Sequence, residues 1–176
     1  KEVIPSQDGI YWFEIIPVDF AGNRGETVEK YVGVDGSGPV IDPLASDITN
    51  EGFTMIKNNA TQEILDRNTE VNYVTDWVDY EPNLKYGVLI NDIGSGVGEV
   101  HYGVSNEATA MTGAWNSLNL ESSSWLETEA VNRTGIANLD LGNCGAGVKY
   151  LHIKAFDVAG NESVSVIKLK LNSIPE

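Results

Sequence analysis

The stretches VDFAGN at 18–23 and FDVAGN at 156–161 spell nearly the same turn twice, with Asp19 and Asp157 standing 138 positions apart. Ala-Gly-Asn lets the chain take a positive φ at a bend, because glycine has no Cβ to clash. An aspartate at the start of such a bend bonds local backbone N–H groups. Reading outwards, GIYWFEIIPVD (9–19) precedes the first turn and GVKYLHIKAFD (147–157) the second. At the same offset Gly9 matches Gly147, Ile10 matches Val148, Trp12 matches Tyr150, Phe13 matches Leu151 and Ile15 matches Ile153. RGETVEKYV and ESVSVIKLKL follow the two turns, and both return to alternating, β-branched residues. Period-2 apolar residues bounded by Gly, Asn and Asp are the chemistry of strands, so each copy reads as a β-hairpin.

The second hairpin predicts its own core. Leu151, Ile153 and Ala155 form one apolar row and Ile167, Leu169 and Leu171 the row across the turn, with Lys168 and Lys170 outward. Val164 and Val166 are out of phase with Ile167, which predicts a bulge between them. In the first hairpin Trp12 is expected in or just beneath a core, as the counterpart of Tyr150.

Matched strands on both sides of both turns make an internal repeat. Pro-containing linkers follow each copy, VDGSGPVI (34–41) and LNSIPE (171–176). The combination of an apolar strand, a D-x-A-G-N turn, a return strand and a short linker with proline resembles the bacterial Ig-like repeat family. Those are tandem β-sandwich modules of surface and secreted proteins, and their last two strands carry this turn. LKYGVLINDIGSGVGEVHYGVSN (84–106) is similar to their second and third strands, with Asp92, Ser95, Gly96 and Val97 on the family's D-x-x-S-G-V pattern. The stretch 44–80 departs from it, being longer than the usual first connection. The antibody-type Cys…Trp…Cys core is excluded by a single cysteine, Cys144.

The resemblance implies an all-β chain and an Ig-like antiparallel β-sandwich. Residues 1–36 then form the C-terminal hairpin of an upstream module, and residues 37–176 one complete, enlarged module. WNSLNL, SWLETEAV and GIANLDL supply the middle strands, and NNATQEILDRN (58–68) reads as a segment with room for one helical turn capped by Asn59.

Composition narrows function. The chain has 176 residues, 11 Lys+Arg against 26 Asp+Glu, and a formal charge of −15. Nucleic-acid phosphates need clustered cations, so that partner is excluded. No apolar run reaches the roughly 18 residues of a transmembrane helix, which argues against membrane insertion. From Tyr86 to Asn132 there is no Lys or Arg, while Asp92, Glu99, Glu107, Glu121, Glu127 and Glu129 fall there. This reads as an acidic, solvated sheet face, the alternative being a site for a cation or a cationic partner.

No motif announces catalysis. GSGVG (94–98) looks like a dinucleotide loop, but that loop must open a helix, and EVHYGV alternates like a strand. His101 and His152 lie inside predicted strands without zinc spacing. Calcium would suit the abundant carboxylates; DITNEG (47–52) lacks the ligands of a calcium loop, which leaves Asp92 in its turn as the metal candidate. Trp115 and Trp125 sit among Asn and Ser, the setting of a sugar-binding platform, and are the glycan-binding candidates. The alternative for each is to anchor a loop by packing.

The expected function is a structural spacer or stalk module of a large extracellular or cell-surface bacterial protein, such as an adhesin, a surface-layer protein or a multimodular secreted enzyme. Its partners would be adjacent modules of the same chain. The competing expectation is a glycan- or host-protein-binding module that uses exposed Trp and the acidic face. Neither needs a cofactor, and neither is an enzyme.

Overall fold

The computed structural model describes residues 5, 7–42, 55–58, 64–67, 77–80, 84–122, 124–129, 134–141 and 144–173. The chain divides into two compact units, Lys1–Ser37 and Gly38–Glu176. All regular structure among the described residues is β.

The first unit holds an antiparallel pair, β1 (Gly9–Ile15) and β2 (Val28–Val34), in register from Gly9 opposite Val34 to Ile15 opposite Val28. Nearer the turn, Val18 bridges Arg24. Between those two pairings the return strand is one residue longer than the outgoing strand. The extra residue is taken up where Gly25 N–H donates to the Pro17 carbonyl at 2.8 Å. Its consequence is a change of partners: Phe13 lies opposite Lys30, whereas its counterpart Leu151 lies opposite Ile167. Trp12 is not in a core. It is 70% exposed and stacks across the pair on Tyr31, with ring centroids 5.3 Å apart. Its counterpart Tyr150 is itself only half-buried, beside and not within the buried row Leu151, Ile153, Ala155, and Trp12 likewise alternates with the less exposed Tyr11 and Phe13, so the expectation of a core position fails.

The second unit is a β-sandwich. One sheet runs β10 (Trp125–Glu129), β11 (Thr134–Asp140), β7 (Leu84–Asn91), β4 (Met55–Asn58), β5 (Ile64–Arg67). A further strand, β3 (Val40–Asp42), pairs with β7 at Leu89–Asn91, next to the stretch of β7 that β4 pairs. The other sheet runs β6 (Val78–Asp79), β13 (Glu162–Asn172), β12 (Gly147–Asp157), β8 (Val97–Ser105), β9 (Asn116–Leu118). Every pairing is antiparallel except β6 with β13. The segment 64–67 is a strand; Asn59 and residues 60–63, where the turn it would cap begins, lie outside the described residues.

Alternation builds the core. Tyr86, Val88 and Ile90 of β7 and Ala137 and Leu139 of β11 are fully buried against Leu151, Ile153, Ala155, Ile167, Leu169 and Leu171 of β12 and β13. Burying each large side chain of this kind contributes about 1.5–3 kcal/mol. The bulge expected in β13 is absent: its register with β12 is unbroken from Gly147–Leu171 to Phe156–Glu162. Ser163 and Ser165, not the valines, continue the inward row toward the turn, and Val164 and Val166 face the other way along a regular strand. The irregularity lies instead between β12 and β8, where Asp157 pairs with Val97.

Candidate functional site

The inner rows of both sheets end on an aspartate at the same end of the sandwich. The row Tyr86, Val88, Ile90 continues by alternation to Asp92, and the row Leu151, Ile153, Ala155 continues to Asp157. Each aspartate is only 4% exposed, and a carboxylate oxygen of one lies within 4.8 Å of one of the other.

Each carboxylate is held by its own turn. Asp157 Oδ1 accepts the Asn161 backbone N–H at 2.8 Å and Oδ2 accepts the Asn161 Nδ2–H at 2.7 Å. Asp92 Oδ2 accepts the N–H groups of Gly94 and Gly96. The two turns are stitched together. Val158 N–H donates to the Gly96 carbonyl at 2.9 Å, and Ala159 N–H donates to Ser95 Oγ at 3.0 Å. Gly96 and Gly160 both take positive φ, 90° and 95°, which only glycine adopts without penalty. A Cβ on Gly98 would come within 2.9 Å of the Asp157 carbonyl, so glycine there lets β8 approach. GSGVG is thus a strand-to-strand turn.

In unit one the same device recurs. Asp19 Oδ1 accepts the N–H groups of Ala21 and Asn23 at 2.9 Å each, and Oδ2 accepts Asn23 Nδ2–H at 2.8 Å. The Asn23 side chain, the largest influence, and backbone N–H bonds hold the Asp19 carboxyl below its ordinary range against a slight desolvation.

The two candidate tryptophans part company. Trp125 is 6% exposed and belongs to the core. It is not a sugar platform, because its indole is packed against Gly135, where a Cβ would come within 2.6 Å of the ring. Its Nε1 is buried without a hydrogen-bond partner among the described residues. Trp115 is 38% exposed. The Lys154 ammonium sits 5.3 Å from its ring centroid, and His152 meets it edge-on at 6.5 Å. Lys154 also pairs with Glu162 at 3.0 Å.

His152 points away from the core, yet it is buried, because the segment following β8 folds over it. Its Nε2 lies 2.9 Å from the Glu107 carbonyl and 2.9 Å from Ser105 Oγ. A carbonyl only accepts, so the contact with Glu107 is a hydrogen bond in the tautomer that carries its proton on Nε2. Ser105 Oγ itself donates to the Glu107 carbonyl at 2.7 Å. The group latches the loop that follows β8. Reasoning along the chain missed it, since Ser105 and His152 are brought together only by the pairing of β8 with β12. Met111 closes the same loop over Gly103, where a Cβ would meet its side chain. His101 bonds Glu99 at 3.1 Å and Ser117 Oγ at 3.0 Å on the same face.

Beside this loop lies a cleft of about 390 Å³ between β8, the 111–116 segment and the chain that leaves β11. Burial, with the nearby Asp140 charge helping, pushes the Tyr102 phenol up, and a backbone hydrogen bond from Asp140 opposes them. Burial likewise pushes the Cys144 thiol up, against the pull of Lys149.

Fold and site together define an antiparallel β-sandwich whose strand rows end in aspartate-locked, cross-stitched turns. No family model and no curated protein matches the chain.

Proposed function

We propose that the chain is part of a tandem array of Ig-like modules and works as a structural spacer in a large extracellular or cell-surface bacterial protein. The observation that carries this reading is the turn built twice, with Asp19 and Asn23 in one compact unit and Asp157 and Asn161 in the other. Strand order supports it. The path β10-β11-β7 with β3 and β4 alongside, facing β13-β12-β8, parallels the two sheets of an immunoglobulin sandwich. A two-stranded hairpin is marginal alone in water, and β1 and β2 carry exposed Ile10, Trp12, Tyr31 and Val32. In this reading those residues belong to a preceding module, and the adjacent modules are the partners. The charge of −15 keeps such an array soluble.

The test is a chain trimmed to Gly38–Glu176. It should unfold cooperatively, with β-type circular dichroism and a melting transition close to that of the full chain. Loss of folding on trimming would make residues 1–37 part of a single core and would end the tandem reading.

A further inference from the structure

We infer that the outer face of β9, β8 and β12 carries a site that cleaves small carboxylic esters, with Ser117 as nucleophile and His101 as its base, an activity beyond that of a spacer. Alternation and register build the site. Glu99 and His101 stand two apart on β8 and so share a face. His101 pairs with Ser117 of β9 on one side and with Lys154 of β12 on the other. Its ring links Glu99 to Ser117: Nε2 lies 3.1 Å from Glu99 Oε2 and Nδ1 lies 3.0 Å from Ser117 Oγ. A carboxylate only accepts, whereas a hydroxyl also donates, so of the two neutral tautomers only one makes both contacts hydrogen bonds. That tautomer carries its proton on Nε2, and its Nδ1 lone pair receives the Ser117 hydroxyl. Nucleophile, base and orienting group then stand in working order. Phe156 meets the His101 ring edge-on, with centroids 5.9 Å apart, and braces it.

Access separates this pair from Ser105 and His152, which are buried beneath their loop. Ser117 is exposed and the His101 side chain is 26% open, so an ester can reach both. Trp115, two residues before Ser117 and half open, offers an apolar surface to the alcohol part of the ester. Lys154, whose ammonium sits by that ring, brings positive charge to the face on which the oxyanion forms. Glu99 is 70% exposed, so water screens its charge and its part is to position the His101 tautomer. In the first step Ser117 Oγ bonds the carbonyl carbon and its proton passes to His101 Nδ1. The bond from that carbon to the leaving oxygen breaks, the same proton goes to that oxygen, and the alcohol departs. Water repeats the sequence: its oxygen bonds the acyl carbon, one of its protons moves through Nδ1 to Ser117 Oγ, and the carboxylic acid leaves.

Hydrolysis of para-nitrophenyl acetate by the full chain tests the proposal. Release of nitrophenolate should be saturable and faster than in buffer, and mass spectrometry of the quenched reaction should find an acetyl group on Ser117. Ser117→Ala, at an exposed strand position, should abolish both. His101→Gln should slow release about a hundredfold, the lower end of what a general base contributes. Glu99→Leu should slow it several-fold, and Glu99→Gln, whose amide oxygen still accepts from Nε2–H, should restore most of the rate. If a variant does not keep the native melting transition, the position of the acetyl group on the unaltered chain still decides. Release no faster than in buffer, acetyl groups on lysines and none on Ser117, undiminished release by a folded Ser117→Ala or His101→Gln, or a Glu99→Leu chain as fast as the parent would each overturn the assignment.

Discussion

Asp157 and Asn161 grip each other twice across their turn, through the backbone N–H at 2.8 Å and the side-chain amide at 2.7 Å, both on one carboxylate. Asp19 and Asn23 repeat the grip at 2.9 and 2.8 Å. The pair closes a bend that the backbone also closes: Asp157 N–H donates to the Asn161 carbonyl at 3.1 Å.

Replacing Asp157 by Ala should therefore be costly. It leaves two half-buried Asn161 donors without that acceptor, and such a loss costs about 1–3 kcal/mol where the donor is buried. Urea denaturation of Asp157→Ala should give a midpoint well below that of the unaltered chain, with an unchanged slope. A midpoint within error of the parent would mean that the carboxylate does not hold the turn.

Gly160 sits at φ 95° in open space, with nothing near the position of a Cβ. Strain from the backbone is then the whole cost of a side chain, roughly 1–2 kcal/mol. Gly160→Ala should destabilise by about that amount in thermal melts, and Gly160→Val by more, because a β-branched side chain is the more strained at positive φ. An alanine variant as stable as the parent would refute the positive-φ turn.

Gly135 is the opposite case, lacking a positive φ but pressed by Trp125, whose ring atoms lie 2.6 Å from where a Cβ would stand. Gly135→Ala must displace the indole, and overpacking of this kind costs about 1–3 kcal/mol. The displaced ring should show as a shift in tryptophan fluorescence, and Trp125→Leu in the same background should recover part of the lost stability. Normal stability in Gly135→Ala with an unchanged spectrum would contradict the packing described.

The Asp19 turn should depend on acid in a definite sense. Its folded carboxyl titrates below the unfolded value, chiefly because of the bonds from Asn23. The stabilisation is therefore fully present above the unfolded value and is lost as pH falls through the depressed one. NMR shifts of the Asn23 amides should stay native through the ordinary aspartate range and change only below it. A midpoint at or above that of a short peptide carrying VDFAGN would count against the arrangement.

The residues alone determined the hairpins, the turn chemistry and the core rows of the second hairpin. Leu151, Ile153, Ala155 and Ile167, Leu169, Leu171 could be read off because a strand alternates its side chains whatever surrounds it. Asp19 and Asn23, or Asp157 and Asn161, are close in sequence, so their bond is local and its residue pattern is visible. Tertiary structure decided everything that depends on which strands become neighbours. Trp125 became core and Trp115 remained half open because one indole met a glycine across β10 and β11 while the other met Lys154. The latch of Ser105 and His152, and the meeting of Asp92 with Asp157, arise from pairings between segments far apart in the chain. Local propensity carries no record of such distances, and the free energy that fixes them belongs to the assembled sandwich.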